Sequence, residues 1–307
     1  MQFQQTIKRR VLCQGIGIHS GQPAKLVLEP APANAGIVFI RRDLPGAPMI
    51  AARASRVLDS RLATTLGNNG AYVATVEHLL AALAGLGIDN VRVEVFGPEL
   101  PILDGSAAPF VALLQQAGLK TLRWPRAFFQ LREPVEVRDG DKWLRVEPAA
   151  VTSISYQIDF PHPAVGRQEL TWTPQPQAFG REIAPARTFG FLKDVQRLQQ
   201  QGQALGGSLA NAIVLDDQGV LNPEGLRFPD EFVRHKILDL IGDLALLGWP
   251  LLGRIQVYKG SHALHHQFMQ TLLADQSRWR LWVPPVPLPS PSDSRLPRFT
   301  RTRLALA

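Results

Sequence analysis

The chain reads as an α+β protein made of two units of like β–α–α–β topology, a duplication, with the helices of both units packed between their sheets. Three observations predict this. The run Leu26-Val27-Leu28-Glu29-Pro30-Ala31 recurs as Leu144-Arg145-Val146-Glu147-Pro148-Ala149, each a strand closed by a Glu-Pro-Ala turn before a second strand. VEHLLAALAGLG followed by VRVEVFG corresponds to HKILDLIGDLALLG followed by RIQVYKG, in both cases a helix ended by glycine and then a strand. Both strands then enter a loop and a further helix, at 108–117 and at 264–273.

Strand-like pieces at 10–14 and 24–29 flank the glycine-rich turn GIGIHSG. Thr75 stands just ahead of Glu77-His78 and a run of apolar and glycine residues, which predicts a helix capped by the Thr75 hydroxyl. The boundary between units falls near 124–126, giving a first domain at 1–125 and a second at 126–282. The second half carries roughly forty extra residues between its strands and its main helix, far more than a loop requires. That insertion, at about 181–221, holds a helical piece at 193–201, the flexible GQALGGS and a strand at 211–216. The stretch from 283 to 307, which includes PPVPLPSPSDSRLPRF, is rich in proline and is expected to be extended or disordered.

Composition narrows the class. The chain has 307 residues, 45% hydrophobic and 19% charged, as in a globular protein. The net charge of +7 favours anionic partners. Many basic residues sit at the two ends, and none form an aromatic-interleaved run, which argues against nucleic acid. Cys13 is the single cysteine, so a disulfide framework and a thiolate metal site are both excluded. The N-terminus has no apolar signal-peptide core, and the longest apolar run, 79–88, is too short to span a bilayer. A monomeric cytoplasmic protein is the expectation.

The helix predicted at 231–248, EFVRHKILDLIGDLALLG, is apolar almost all round and belongs in a core. Yet His235, Asp239 and Asp243 fall at i, i+4 and i+8, one polar stripe on one face. Burying carboxylates costs several kcal/mol unless something compensates them, and a cation is the simplest compensator; the bland alternative is a stripe that faces water. The helix dipole accounts for Glu77 at the start of the other helix but not for His78. If the two helices pack together, His78 meets the stripe. Two histidines and one aspartate with an open position make a catalytic zinc set, not a closed structural one. Glu77 beside it is then a candidate general base. His262, His265 and His266, on a loop after the strand RIQVYKG, are each a candidate general acid, and Asp243 could orient whichever serves. Lys236 suits a phosphate or an oxyanion, or is simply solvated. Thr188 in ARTFGF could serve an oxyanion or lie on the surface.

The motifs TVEHLLAALAGLGIDN, LPILDGSAAPF, ARTFGF, GLRFPDEFVRHKILDLIGDLALLG and KGSHALHH, spread from about residue 6 to 279, resemble the zinc-dependent UDP-3-O-acyl-N-acetylglucosamine deacetylases of lipid A biosynthesis. The resemblance implies two like domains, each with an inserted element. It implies Zn2+, with Fe2+ as the other candidate, on His78, His235 and Asp239. It implies Glu77 as base, His262 as acid, Thr188 at the oxyanion, Lys236 in the active site and Asp243 supporting the acid. It further implies contacts of a uridine diphosphate with Lys142, Phe160 and Lys236, and a passage for the acyl chain at about 189–214, lined by Phe189, Phe191, Leu192, Leu198, Leu205 and Ile213. The expected reaction removes the N-acetyl group of a UDP-linked acylated glucosamine, a committed step of lipid A synthesis. Two departures stand out: the acid loop reads Lys-Gly-Ser-His where Lys-Ser-Gly-His is usual, and His265 and His266 occupy positions where asparagine or a similar polar residue is usual. The competing reading is a non-catalytic sugar-nucleotide binder stabilised by metal, which would unfold on chelation. A small-molecule kinase is disfavoured, because no phosphate loop of the Walker type is present.

Overall fold

A computed structural model describes residues 3–285; the proline-rich tail predicted from the sequence lies almost wholly outside the described residues. The first sheet has five strands: β1 (Val11–Ile16), β2 (Pro23–Pro30), β3 (Ile37–Arg41), β4 (Met49–Ala51) and β5 (Val91–Phe96). Their spatial order is β1-β2-β5-β3-β4, with β5 antiparallel to β2 and parallel to β3. The second sheet comprises β6 (Val135–Asp139), β7 (Lys142–Glu147), β8 (Ser153–Asp159), β9 (Arg167–Trp172) and β10 (Arg254–Tyr258). Its order, β6-β7-β10-β8-β9, repeats that of the first, and β10 is again antiparallel to one neighbour and parallel to the other.

The equivalence extends to side chains. Leu26 and Leu28 lie opposite Val95 and Val93, while Leu144 and Val146 lie opposite Val257 and Ile255. All eight are buried, as the two-residue period of a strand with one face on a core requires. The chain up to Leu119–Pro125 closes on itself, since that strand pairs antiparallel with Phe3–Ile7.

Among the described residues, five α-helices of nine or more residues frame the interior and the insertions: α1 (Glu77–Gly85), α2 (Ala108–Ala117), α3 (Leu192–Gln200), α4 (Glu231–Leu244) and α5 (His262–Ala274). The two buried apolar helices α1 and α4 lie against each other, and α4 also touches β8 and β9 of the second sheet. Leu79 to Leu83 on α1 and Phe232, Val233, Ile237, Leu238 and Leu240 on α4 are fully buried. Over these stretches only Arg234 and Lys236 of α4 keep partial exposure, which is why both sequences are apolar nearly all round. Close approach is possible because Gly242 has no side chain; a methyl group there would run into the Glu77 carbonyl oxygen. Past α4, a short 3-10 turn, Ala245–Leu247, ends at Gly248 in the left-handed region, φ 82°.

The structure corrects two sequence expectations. Thr75 does not cap α1. Its backbone is left-handed, φ 57°, which turns the hydroxyl away from the helix N–H groups, and Oγ1 donates instead to Glu99 at 3.0 Å. His262 is not on a loop: it is the first residue of α5, because Ser261 caps that helix by accepting from the Leu264 N–H at 3.3 Å.

Both insertions are built of short elements. Between β4 and α1 a three-stranded sheet is formed by Val57–Asp59, Thr65–Asn68 and Ala71–Val73. Between β9 and α4 lie α3 and the parallel pair Phe189–Phe191 with Ile213–Leu215. The glycine-rich GQALGGS of this second insertion docks on the GIGIHSG turn of the first sheet: Leu205 N–H donates to His19 O at 3.1 Å and Gly206 N–H to Ile18 O at 3.0 Å. Gly206 is required there, since a Cβ would meet the Gly17 carbonyl oxygen.

Candidate metal centre and active site

The contact of α1 with α4 places His78, the second residue of α1, beside His235 and Asp239 of α4. The rings of His78 and His235 are edge to face, with centroids 5.1 Å apart. Asp239 Oδ1 lies 3.3 Å from His235 Nε2 and 3.7 Å from His78 Nε2. One ligand atom from each residue falls within 4.8 Å of the other two, and all three residues are buried. The donor set fits a cation on its own chemistry. Asp239 Oδ1 is buried with no hydrogen-bond donor among the described residues. His235 turns Nδ1 to the Ala186 carbonyl at 3.0 Å, which leaves the Nε2 lone pair facing the aspartate. Burial lowers His78 to about 3, with the nearby His235 acting in the same direction, so its imidazole is neutral and ready to ligate. Asp239 is pushed down against its burial by His235 and Lys236, and Lys236 Nζ donates to its other oxygen at 2.8 Å.

The carbonyl that orients His235 is itself held. Glu231, fully buried, accepts from the Arg187 backbone N–H at 3.0 Å and from Arg187 Nε at 2.9 Å. Arg187 also donates to Glu224 at 2.6 Å. This buried network fixes 184–188, so Ala186 O stays under His235. Glu231 is the missing first member of the α4 stripe, four residues ahead of His235.

Glu77 sits at the first position of α1, buried, and accepts from the Thr64 backbone N–H at 3.0 Å. Burial raises it to about 7, assisted by Asp243 and Asp239. Asp243, one turn beyond Asp239, accepts from Thr64 Oγ1 at 2.6 Å on one oxygen. Its other oxygen takes His262 Nδ1 and His265 Nδ1, each at 2.7 Å. Burial alone would lower His262, but Asp243, with Asp239 and Glu77, raises it to about 9. A basic group and an acidic group of the types needed for proton transfer therefore flank the same spot from two helices.

The other sequence candidates lie around this centre or away from it. Phe189 lies 6.3 Å from His235 by ring centroids and 5.0 Å from Phe232. Phe160 packs on Phe189 and Phe191 at 5.7 and 5.8 Å, so these three rings form one aromatic wall next to the donor set. Thr188 adjoins the same wall, with its backbone bonded to Gly105 and Ile213. Leu198 on α3 lines a cleft of about 470 Å³ with His19, Tyr72 and Glu99 of the first half. Lys142 is not brought to the donor set: it starts β7 at the β6–β7 hairpin, paired with Asp139. A separate cavity of about 340 Å³, lined by Arg53, Trp172 and Trp249 among others, contains none of the candidate residues. Sequence reasoning missed Thr64 and Glu231, and did not foresee that His262 and His265 share one oxygen of Asp243. Glu231 is visible in the sequence as a continuation of the stripe; Thr64, 179 residues from its partner Asp243, has no local signal.

The fold and this site together define an α+β protein of two like sheets with a candidate metal centre where their helices meet. The chain belongs to the UDP-3-O-acyl N-acetylglycosamine deacetylase family, whose model matches residues 4–274. It is 53% identical over 278 residues to a UDP-3-O-acyl-N-acetylglucosamine deacetylase of Anaeromyxobacter dehalogenans, covering 91% of this chain and 90% of the relative. A protein of the same name from Myxococcus xanthus is 52% identical, covering 91% and 88%, and one from Shewanella baltica is 48% identical, covering 92% and 93%.

Proposed function

We propose that this protein hydrolyses the N-acetyl amide of a UDP-3-O-acyl-N-acetylglucosamine, releasing acetate and a free amine on the sugar. The observation that carries this is the meeting of three buried ligand atoms with a carboxyl of raised pKa and an aspartate-paired imidazole. The same name borne by relatives about half identical over nine-tenths of the chain supports the substrate class. His78, His235 and Asp239 would hold Zn2+, and the same donors suit Fe2+. Bound there, the ion supplies Lewis acidity that acidifies water and polarises the acetyl carbonyl.

The chain's own residues do the rest. Glu77 takes the proton from the attacking water, and its bond to the Thr64 N–H keeps one oxygen fixed and the other free. Thr188 offers its hydroxyl to the oxygen that becomes anionic. His262, positively charged with Nδ1–H on Asp243, delivers a proton from Nε2 to the departing nitrogen. Lys236, paired with Asp239, adds positive charge beside the site. The wall of Phe160, Phe189 and Phe191 lies against the substrate, and the insertion at about 189–214, Leu198 included, receives the acyl chain. Lys142 and Phe160 meet the uridine diphosphate. The reading places the protein in the cytoplasm at the committed step of lipid A synthesis. No helix among the described residues is long and apolar enough to cross a membrane.

The test is the pH–rate profile. Activity requires Glu77 deprotonated and His262 protonated, so the rate climbs as Glu77 ionises and falls as His262 loses its proton near pH 9. Asp243→Asn removes the negative partner of His262. The descending limb is then expected to move down by about one pH unit or more, with kcat reduced most on the alkaline side. A limb that stays in place would separate His262 from the proton transfer.

A further inference from the structure

The interior behind Asp243 contains two polar atoms that the proposed chemistry does not use. His265 is fully buried. Its Nδ1 lies on the same Asp243 oxygen as His262 Nδ1, but its Nε2 has no hydrogen-bond partner among the described residues. The hydroxyl of Tyr156, a fully buried side chain of β8, has none either. The two rings are edge to face, with centroids 6.4 Å apart. Both atoms border Gly260, where any side chain would strike the Tyr156 oxygen and come within 3.0 Å of His265 Nε2. The glycine in Lys-Gly-Ser-His thus leaves a recess shared by a phenol O–H and an imidazole nitrogen.

The chemistry of the two groups is complementary. An imidazole that gives its Nδ1–H to a carboxylate has Nε2 as a bare acceptor when neutral, and a phenol is the donor it faces. We infer that His265 is a positioning residue: Nδ1–H holds Asp243, Nε2 accepts from Tyr156 through one water in the recess, and the ring locks the carboxylate against His262. This rests on the proposed function only in naming His262 as the acid.

With both Asp243 oxygens occupied, by Thr64 on one side and two imidazoles on the other, the carboxylate cannot rotate away from His262. Because His265 stays neutral, the negative charge of Asp243 is assigned to His262 alone. The other groups that act on His262 are Glu77 and His78 from α1, His235 and Asp239 from α4, His265 on its own helix and His19 from the first-sheet turn. Those acting on His265 are Asp243, His262 and Lys236.

The experiment compares His265→Leu, His265→Asn and Tyr156→Phe, each first checked for metal content and melting temperature. Asparagine keeps an amide N–H where Nδ1 was; leucine keeps the volume and removes the donor. His265→Leu is expected to lose roughly 10–100-fold in kcat with KM little changed and the descending pH limb displaced. His265→Asn recovers most of that loss. In NMR spectra of the wild-type protein the His265 Nδ1–H proton gives a protected downfield resonance. Tyr156→Phe leaves Nε2 without its donor, so His265 takes up a proton at higher pH than in wild type. That readout does not depend on turnover. Should His265→Leu fail to fold, the Tyr156→Phe titration still decides. An unshifted His265 titration in Tyr156→Phe, or wild-type kcat and pH limb in a folded His265→Leu, overturns the inference. A wild-type protein with the protected resonance but no deacetylation would instead overturn the proposed function.

Discussion

Glu77→Ala is expected to lower kcat by roughly 10²–10⁴-fold, the usual contribution of a positioned general base, while metal content stays at the wild-type level. The separation is possible because Glu77 is not among the three converging ligand residues, although it adjoins His78 in sequence. Its carboxyl is directed by the Thr64 N–H and raised by burial, so it is a competent proton acceptor near neutral pH. The folded state should tolerate the change: the lost side chain gave up one hydrogen bond, and the rest of α1 remains packed on α4. A near-normal kcat in a metal-loaded Glu77→Ala protein would remove the general base from the mechanism.

His235→Ala is expected to have a still larger effect, because it removes one of the three proposed ligands and leaves Asp239 Oδ1 facing only His78. Loss of the ion withdraws several kcal/mol of transition-state stabilisation, roughly 10³-fold or more in rate. Metal content and activity should fall together. The fold should persist, since both sheets and the α1–α4 contact are built from a buried apolar core that needs no ligand. A thermal melt with and without a chelator checks this. Collapse of the structure on chelation would favour a metal-stabilised binder over an enzyme.

How much of the molecule can be read from its sequence depends on the range of each interaction. The strand repeat around Leu26–Leu28 and Leu144–Val146 is legible, because a strand with one buried face repeats its own pattern locally. The two helix-to-strand passages ending at Gly87 and Gly248 are legible for the same reason, both glycines being left-handed. The polar stripe on α4 is legible as a helical period, and Glu231 belongs to it although its role shows only through Arg187. Thr75 misleads because a hydroxyl before a helix looks like a cap whatever its backbone does; here a positive φ sends it to Glu99. His262 looks like a loop residue after a strand, yet Ser261 supplies the helix-start signal. Thr64 is beyond sequence reasoning, because nothing near it announces a partner on α4. The recess beside Gly260 is likewise a property of packing between β8 and α5, visible only in three dimensions.

The central claim is that α1 and α4 bring His78, His235 and Asp239 to a single divalent ion on which turnover depends. The most direct test titrates metal-depleted protein with zinc while deacetylation of the UDP-linked substrate is followed in parallel. The account predicts activity that is negligible at the start, rises in proportion to added zinc and levels off at one ion per chain. Full activity in thoroughly depleted protein, or zinc that binds undiminished to the His78→Ala and His235→Ala variants, would contradict it.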